Sequence, residues 1–184
     1  MTAYIALLRG VNVGGQNKIA MPQLKAACES IGLTHVRTYI NSGNIIFTSL
    51  LDETAAKAAC EAVITEHFGL CIAVCVVAAA DLREVLNHAP DWWDSDPDSK
   101  HNLIFALPPA TANEVCAIVG ETKPEYERVA HYGKAIFWSA PLATFHRTRW
   151  SKITQNKEAY RAITIRNANT VRKLLELVNK TAED

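Results

Sequence analysis

Between Arg9 and Lys18 the chain collects two cations, two asparagines and three glycines, Gly10, Gly14 and Gly15, in a ten-residue loop. A helix-forming segment follows. Its first residues, Ala20, Met21 and Pro22, offer no side chain to cap the N–H groups of Gln23, Leu24 and Lys25. Met1–Lys25 carries Arg9, Lys18 and Lys25 and no acid. A helix start with open N–H groups, the positive end of its dipole, glycines that allow close approach and flanking cations suits an anion. Arg9, Asn12, Gly14, Gly15 and Lys18 are therefore candidate ligand residues. In the competing reading, water or the Asn12 or Asn17 side chain satisfies these groups, and the glycines serve only a tight loop.

A second set lies towards the C-terminus. Residues 128–173 hold ten Lys/Arg against the single acid Glu158, whereas residues 81–98 hold six acids against Arg83, so a net charge of zero conceals a dipolar chain. Trp138, Phe145, Trp150 and Tyr160 interleave with Arg147, Arg149 and Lys152. Cations among aromatic faces are what a single strand of nucleic acid uses. The bland alternative is a solvated basic face with its aromatics in the core.

Sharper signatures fail. Gly10–Gly15 has no Gly-Lys-Ser/Thr ending for a nucleoside triphosphate. Asp94-x-Asp96-x-Asp98 opens like a calcium loop, but Ser99 replaces the required Gly and Phe105 the bidentate Glu. The six His form no zinc pattern, and no Gly-x-Ser-x-Gly elbow occurs. No metal site, cofactor or catalytic residue is expected from motifs, and Ser42 reads as a turn hydroxyl.

The elements that position these residues follow from periodicity. Strands are predicted at Tyr4–Arg9, Val36–Ile40, Asn44–Thr48 and Cys71–Val77, with the turn Asn41-Ser42-Gly43-Asn44 between the second and third. Helices are predicted after Pro22, ending at Gly32, and from an Asp52 cap to Gly69. A linking helix near Ala80–His88 and an acidic loop lead to a strand at Asn102–Leu107. Thr111–Glu114 is a capping box opening a helix. A hairpin spans Tyr126–Ser139, an irregular helix Ser151–Arg161 and a strand Ala162–Arg166. A closing helix carries Val171, Leu174, Leu175 and Val178 on one face. The order β-α-β-β-α-β thus occurs twice. Shifting the chain by 90 residues aligns Tyr39–Ser49 with Val129–Ser139 without a gap, and Gly, Ile, Phe and Ser coincide at four of eleven places. Both observations indicate a duplication.

At 184 residues and 49% hydrophobic content the chain suits one domain or two small ones, with no apolar run of membrane-spanning length. Cys28, Cys60, Cys71, Cys75 and Cys116 sit in apolar stretches and read as buried, reduced thiols. Cys71 and Cys75, four residues apart on a predicted strand, are separated by about 13 Å, too far to bridge. With no leader pattern at the N-terminus, a cytoplasmic protein is expected.

Leu7–Gly15, then Lys18, Met21 and Leu24, Val36–Tyr39, Ser42-Gly43-Asn44 and Phe47, then Ser151-Lys152 and Thr164–Thr170 resemble the uncharacterised, mainly bacterial family known as domain of unknown function 1697. The resemblance implies an α+β fold made of two ferredoxin-like (βαββαβ) subdomains in tandem. Residues 1–78 would form the first, 79–101 the linking helix and acidic loop, and 102–184 the second with its C-terminal helix. It implies no activity. The family's polar motif positions present here, Arg9, Asn12, Lys18, Ser42, Asn44, Arg166, Asn167 and Asn169, suggest a shared site; where many members have an aromatic between the last two asparagines, this chain has Ala168. The expected function is binding of a phosphate-bearing ligand, a nucleotide or single-stranded nucleic acid. The alternatives are an enzyme acting on a small anionic substrate and a protein-interaction module using the Asp91–Asp98 loop with Trp92-Trp93.

Overall fold

Continuous apolar runs at Tyr4–Leu8 and again at Leu103–Leu107, buried throughout, form the central strands of two sheets. The computed structural model describes residues 1–183, so the final residue of the 102–184 segment lies outside the described residues. In the first half β1 (Thr2–Leu8), α1 (Met21–Ser30), β2 (Thr34–Tyr39), β3 (Asn44–Ser49), α2 (Glu53–Phe68) and β4 (Val74–Ala78) build an antiparallel sheet of order β2-β3-β1-β4. After α3 (Ala79–Asn87), the elements β5 (Ser99–Ala106), α4 (Ala112–Val119), β6 (Arg128–Tyr132), β7 (Ala135–Pro141), α5 (Lys157–Arg161) and β8 (Ile163–Asn167) repeat it as β6-β7-β5-β8. A long helix, α6 (Ala168–Glu183), closes the chain. This is an α+β protein with two ferredoxin-like subdomains in tandem. By contacts one unit comprises Met1–Arg83 with the chain from Arg172 onward, and the other Glu84–Val171.

The 90-residue offset has a physical counterpart. Phe47 and Phe137, like Ser49 and Ser139, occupy the same strand of their respective sheets, β3 and β7. The shared glycine, however, serves two needs. At Gly43 (φ +71°) an added Cβ would lie 2.7 Å from Leu8 Cβ, whereas Gly133 (φ +55°) has open space around it. Glycine is required at the first by crowding and at the second by backbone conformation alone.

Within the first unit Leu24 and Cys28 of α1 and Cys60 and Ile64 of α2 pack on Tyr4, Ala6, Leu8 and Phe47. In the second, Val115 of α4 and Ala159 of α5 join Ile104, Ile136, Trp138, Trp150 and Ile153. Asp52 caps α2 through Ala55 N (2.8 Å), and Gly69 ends it at φ +63°. The Thr111–Glu114 capping box is formed at α4.

Local departures have local causes. The run Cys71–Val77 is strand only from Val74, because the β1–β4 ladder ends at the Leu8–Val74 pair, where the chain leaves the sheet at Gly10 (φ +64°). Cys71 consequently lies outside the strand and is exposed, unlike Cys28, Cys60 and Cys75. The expected helix at Ser151–Arg161 is a 3-10 segment, Trp150–Gln155, followed by the short α5. The break falls at Asn156, whose Oδ1 accepts from Glu158 N and Ala159 N. A further 3-10 segment, Leu142–Arg147, has no counterpart among the elements that periodicity predicts.

Candidate functional site

The loop before α1 is held by Asn12. Its Oδ1 accepts from Ile19 N (2.9 Å), and its Nδ2 donates to Ile19 O (2.9 Å) and to Asn41 O (2.8 Å). Asn12 and Asn17 take left-handed backbone (φ +54° and +46°), which asparagine tolerates, and Asn17 Nδ2 donates to Gly10 O (3.0 Å). Both asparagines are thus tied to the loop's own backbone and, through Asn41 O, to the β2–β3 turn, and not to the helix. The helix start keeps part of its sequence-predicted character: Ala20 is the N-cap in extended backbone, no side chain caps it, Pro22 follows, and the first turn has no acid. Of the three N–H groups expected to lack a local partner, however, that of Leu24 donates to Ala20 O (3.0 Å), the first bond of the helix itself, so only donors ahead of Leu24 can face a ligand.

That start opens onto a hollow of about 470 Å³ lined by Asn12, Gly15, Lys18, Ile19 to Pro22, and Asn41. The volume falls within the range of small-ligand sites. Lys18 is exposed at its rim. Ile40, beside Asn41, is half exposed and sits at φ +48°, an uncommon conformation for a β-branched residue. Of the expected site residues, Asn12, Gly15 and Lys18 line this hollow; Arg9, Gly14, Ser42 and Asn44 do not. Asn44 is fully buried and fixes the β2–β3 turn, its Nδ2 donating to Tyr39 O (3.0 Å) and Ser42 Oγ (2.9 Å).

In the second unit the expected residues separate. Arg166 is buried, with Nη1 donating to Thr164 Oγ1 (3.0 Å) and Ile165 O (2.8 Å). Asn167 Oδ1 accepts from Thr170 N (2.8 Å) and so caps α6. Asn167 and Asn169 line a hollow of about 700 Å³ with Lys100, His101 and Asn102, but Asp94 and Asp96 share that lining. Carboxylates there oppose an anion, so the smaller hollow at α1 is the better phosphate site despite its size.

The basic stretch is exposed at Arg147, Arg149 and Lys152. The Arg147 guanidinium lies 5.6 Å from the Tyr126 ring centre, and Arg149 runs against Gly120. Its two tryptophans are not available for stacking. Trp138 and Trp150 are core residues with ring centres 6.5 Å apart, because both are needed to fill the space under α4 and α5. Trp93 is likewise buried and donates from Nε1 to Asn102 O (2.9 Å), which pins the acidic loop.

Two arrangements had no signal in the sequence. Glu127, 3% exposed, accepts from Lys123 N (3.2 Å), Arg149 N (2.8 Å) and Trp150 N (3.1 Å), anchoring the segment that bears the cations. His101 and Ser139, also buried, face each other across β5 and β7, with Nδ1 and Oγ 2.6 Å apart. Among the described residues no group of three His, Cys, Asp or Glu is placed to hold a metal ion, and no helix is long and apolar enough to cross a membrane.

Comparison with known proteins agrees with this fold. No curated protein matches the chain. The conserved bacterial protein SP0830 from Streptococcus pneumoniae has a similar solved structure, with 31% sequence identity and a TM-score of 0.85 over 96% of this chain and 98% of that one. The family described as "Protein of unknown function (DUF1697)" matches residues 1–137, which span all of the first sheet, β1 to β4, and the second half as far as Phe137 in β7. The chain belongs to that DUF1697 family.

Proposed function

We propose that this protein binds a phosphate-bearing ligand of nucleotide size at the start of α1. One observation carries the reading: a ten-residue helix with no side-chain cap and no acid in its first turn opens onto a hollow edged by Lys18 and Gly15. Open N–H groups and the helix dipole favour an anion there, and Lys18 adds a point charge that a phosphate can pair with. The double tie from Asn12 to Ile19 holds the loop in the shape that leaves this end open. Within the phosphate class a nucleotide is favoured over a long single strand, because burial of Trp138 and Trp150 removes the stacking platform that the basic stretch would need.

The five cysteines are all free, which supports a reducing, cytoplasmic setting for this activity. Titration of nucleotides, pyrophosphate and short single-stranded RNA and DNA, followed by calorimetry at low salt, tests the reading. Nucleotide binding that weakens at least tenfold in Lys18→Ala is expected. Binding unaffected by that substitution, or none to any phosphate compound, would refute it.

A further inference from the structure

The second unit holds a pair that no sequence motif announced and that does not depend on the phosphate reading. His101 Nε2 lies 2.8 Å from the backbone carbonyl oxygen of Asp96. A carbonyl only accepts, so Nε2 carries the proton; in the neutral ring Nδ1 is then the acceptor, and the Ser139 hydroxyl donates to it across 2.6 Å. A serine hydroxyl donating to an imidazole whose far nitrogen is held by a fixed acceptor is the arrangement that activates an alcohol as a nucleophile. The Asp96 carboxylate, 3.7 Å from Nε2, adds negative charge beside the ring.

Sheet register places a third group in the same row. Ser139 pairs with His101 on one side and with Arg128 on the other, so all three side chains leave the same face of the sheet. Ser139 and Arg128 both line a hollow of about 280 Å³, walled in part by Trp92, Tyr126 and Pro124. That volume lies at the small end of ligand sites, and the wall is mixed, with Asp96, Glu125 and Glu127 beside its apolar and aromatic residues. Of its acids, Glu127 is already committed to three backbone N–H groups.

The first unit supplies an internal control. Its equivalent serine, Ser49, faces Thr2 and accepts from Leu51 N (3.1 Å). The fold therefore closes this sheet position without a histidine; the first unit's own hydroxyl–imidazole contact lies one residue away, between Thr48 Oγ1 and His35 Nδ1 (2.9 Å).

We infer that Ser139 is a covalent nucleophile towards carboxylic esters with a small acyl group, with His101 as its general base. Ser139 Oγ attacks the ester carbonyl carbon as its proton passes to His101 Nδ1, and Arg128 faces the oxyanion that develops. The carbon–oxygen bond to the alcohol breaks, and that alcohol leaves with the proton from Nδ1. Water then attacks the acyl-serine, gives a proton to Nδ1, and releases the carboxylic acid as Ser139 recovers its hydrogen.

The full-length protein treated with a fluorophosphonate probe and mapped by mass spectrometry tests this, alongside hydrolysis of p-nitrophenyl acetate. An adduct on Ser139 is expected, with ester turnover that Ser139→Ala abolishes and His101→Gln slows about 100-fold. A purely structural pair would shift melting temperature in these variants without any adduct in the native protein. No adduct at Ser139, or turnover undiminished in Ser139→Ala, overturns the inference. Should His101→Gln fail to fold, the adduct on the native chain and the Ser139→Ala rate still decide it.

Discussion

Asn12 and Ile19 are bonded to each other twice, side-chain amide to backbone, in both directions at 2.9 Å. The asparagine thereby imitates a strand partner for Ile19, and the third bond, to Asn41 O, ties the loop to the β2–β3 turn. A residue that looks like a ligand contact in the sequence is in fact the clip that shapes the hollow. Asn12→Ala removes three bonds at a half-buried position and should cost about 2 kcal/mol, with loss of nucleotide binding as a consequence. Urea denaturation and calorimetry on the same sample check both; unchanged stability would deny the clip.

Ile40 pays for the adjacent turn in strain. A β-branched side chain at φ +48° costs roughly 1–2 kcal/mol relative to the right-handed region, and asparagine tolerates that conformation better. Ile40→Asn should raise stability by about 1 kcal/mol in thermal unfolding, and a decrease would mean that the exposed Ile40 side chain makes a contact worth more than the strain.

Glu127 should be the most sensitive acid of the second unit. Its carboxylate satisfies three backbone N–H groups from two separate segments. Glu127→Ala strands these donors in a buried place and should destabilise by about 3 kcal/mol or more. Glu127→Gln keeps the acceptor oxygen and should cost less. Equal effects of the two substitutions, measured by denaturant midpoint, would rule out the hydrogen-bond account.

Burial pushes the Cys28 and Cys60 thiols up to about 12 from an ordinary 9, with Glu29 adding to the first and Cys28 and Glu61 to the second. In the unfolded chain these thiols ionise near pH 9, so above that the unfolded state binds fewer protons than the folded one. Stability is therefore full below about pH 9 and falls as pH rises from about 9 to 12. Alkylation of the native protein at pH 8 should modify the exposed Cys71 and spare Cys28 and Cys60. Rapid labelling of either buried thiol would contradict their placement.

Much of this architecture can be read from local chemistry. Asp52, Gly69 and the Thr111–Glu114 box act within one turn of their helices, so residue type and spacing are enough to find them. The uncapped α1 is legible for the same reason. What the sequence hides depends on register. His101 and Ser139 are 38 residues apart and meet only because β5 and β7 pair at that position. Glu127 reaches Arg149 N across 22 residues through a segment with no periodic signal. The apolar run at Cys71 misleads for a related reason: strand formation there ends where its partner, β1, ends.

The central claim, a phosphate ligand at the open end of α1, is tested most directly by backbone amide shifts during titration with a nucleotide. Saturable changes concentrated at Gly15, Lys18, Met21 and Gln23, weakened by added salt, are the predicted result. Changes confined to residues 147–152, or to the second unit alone, would contradict it.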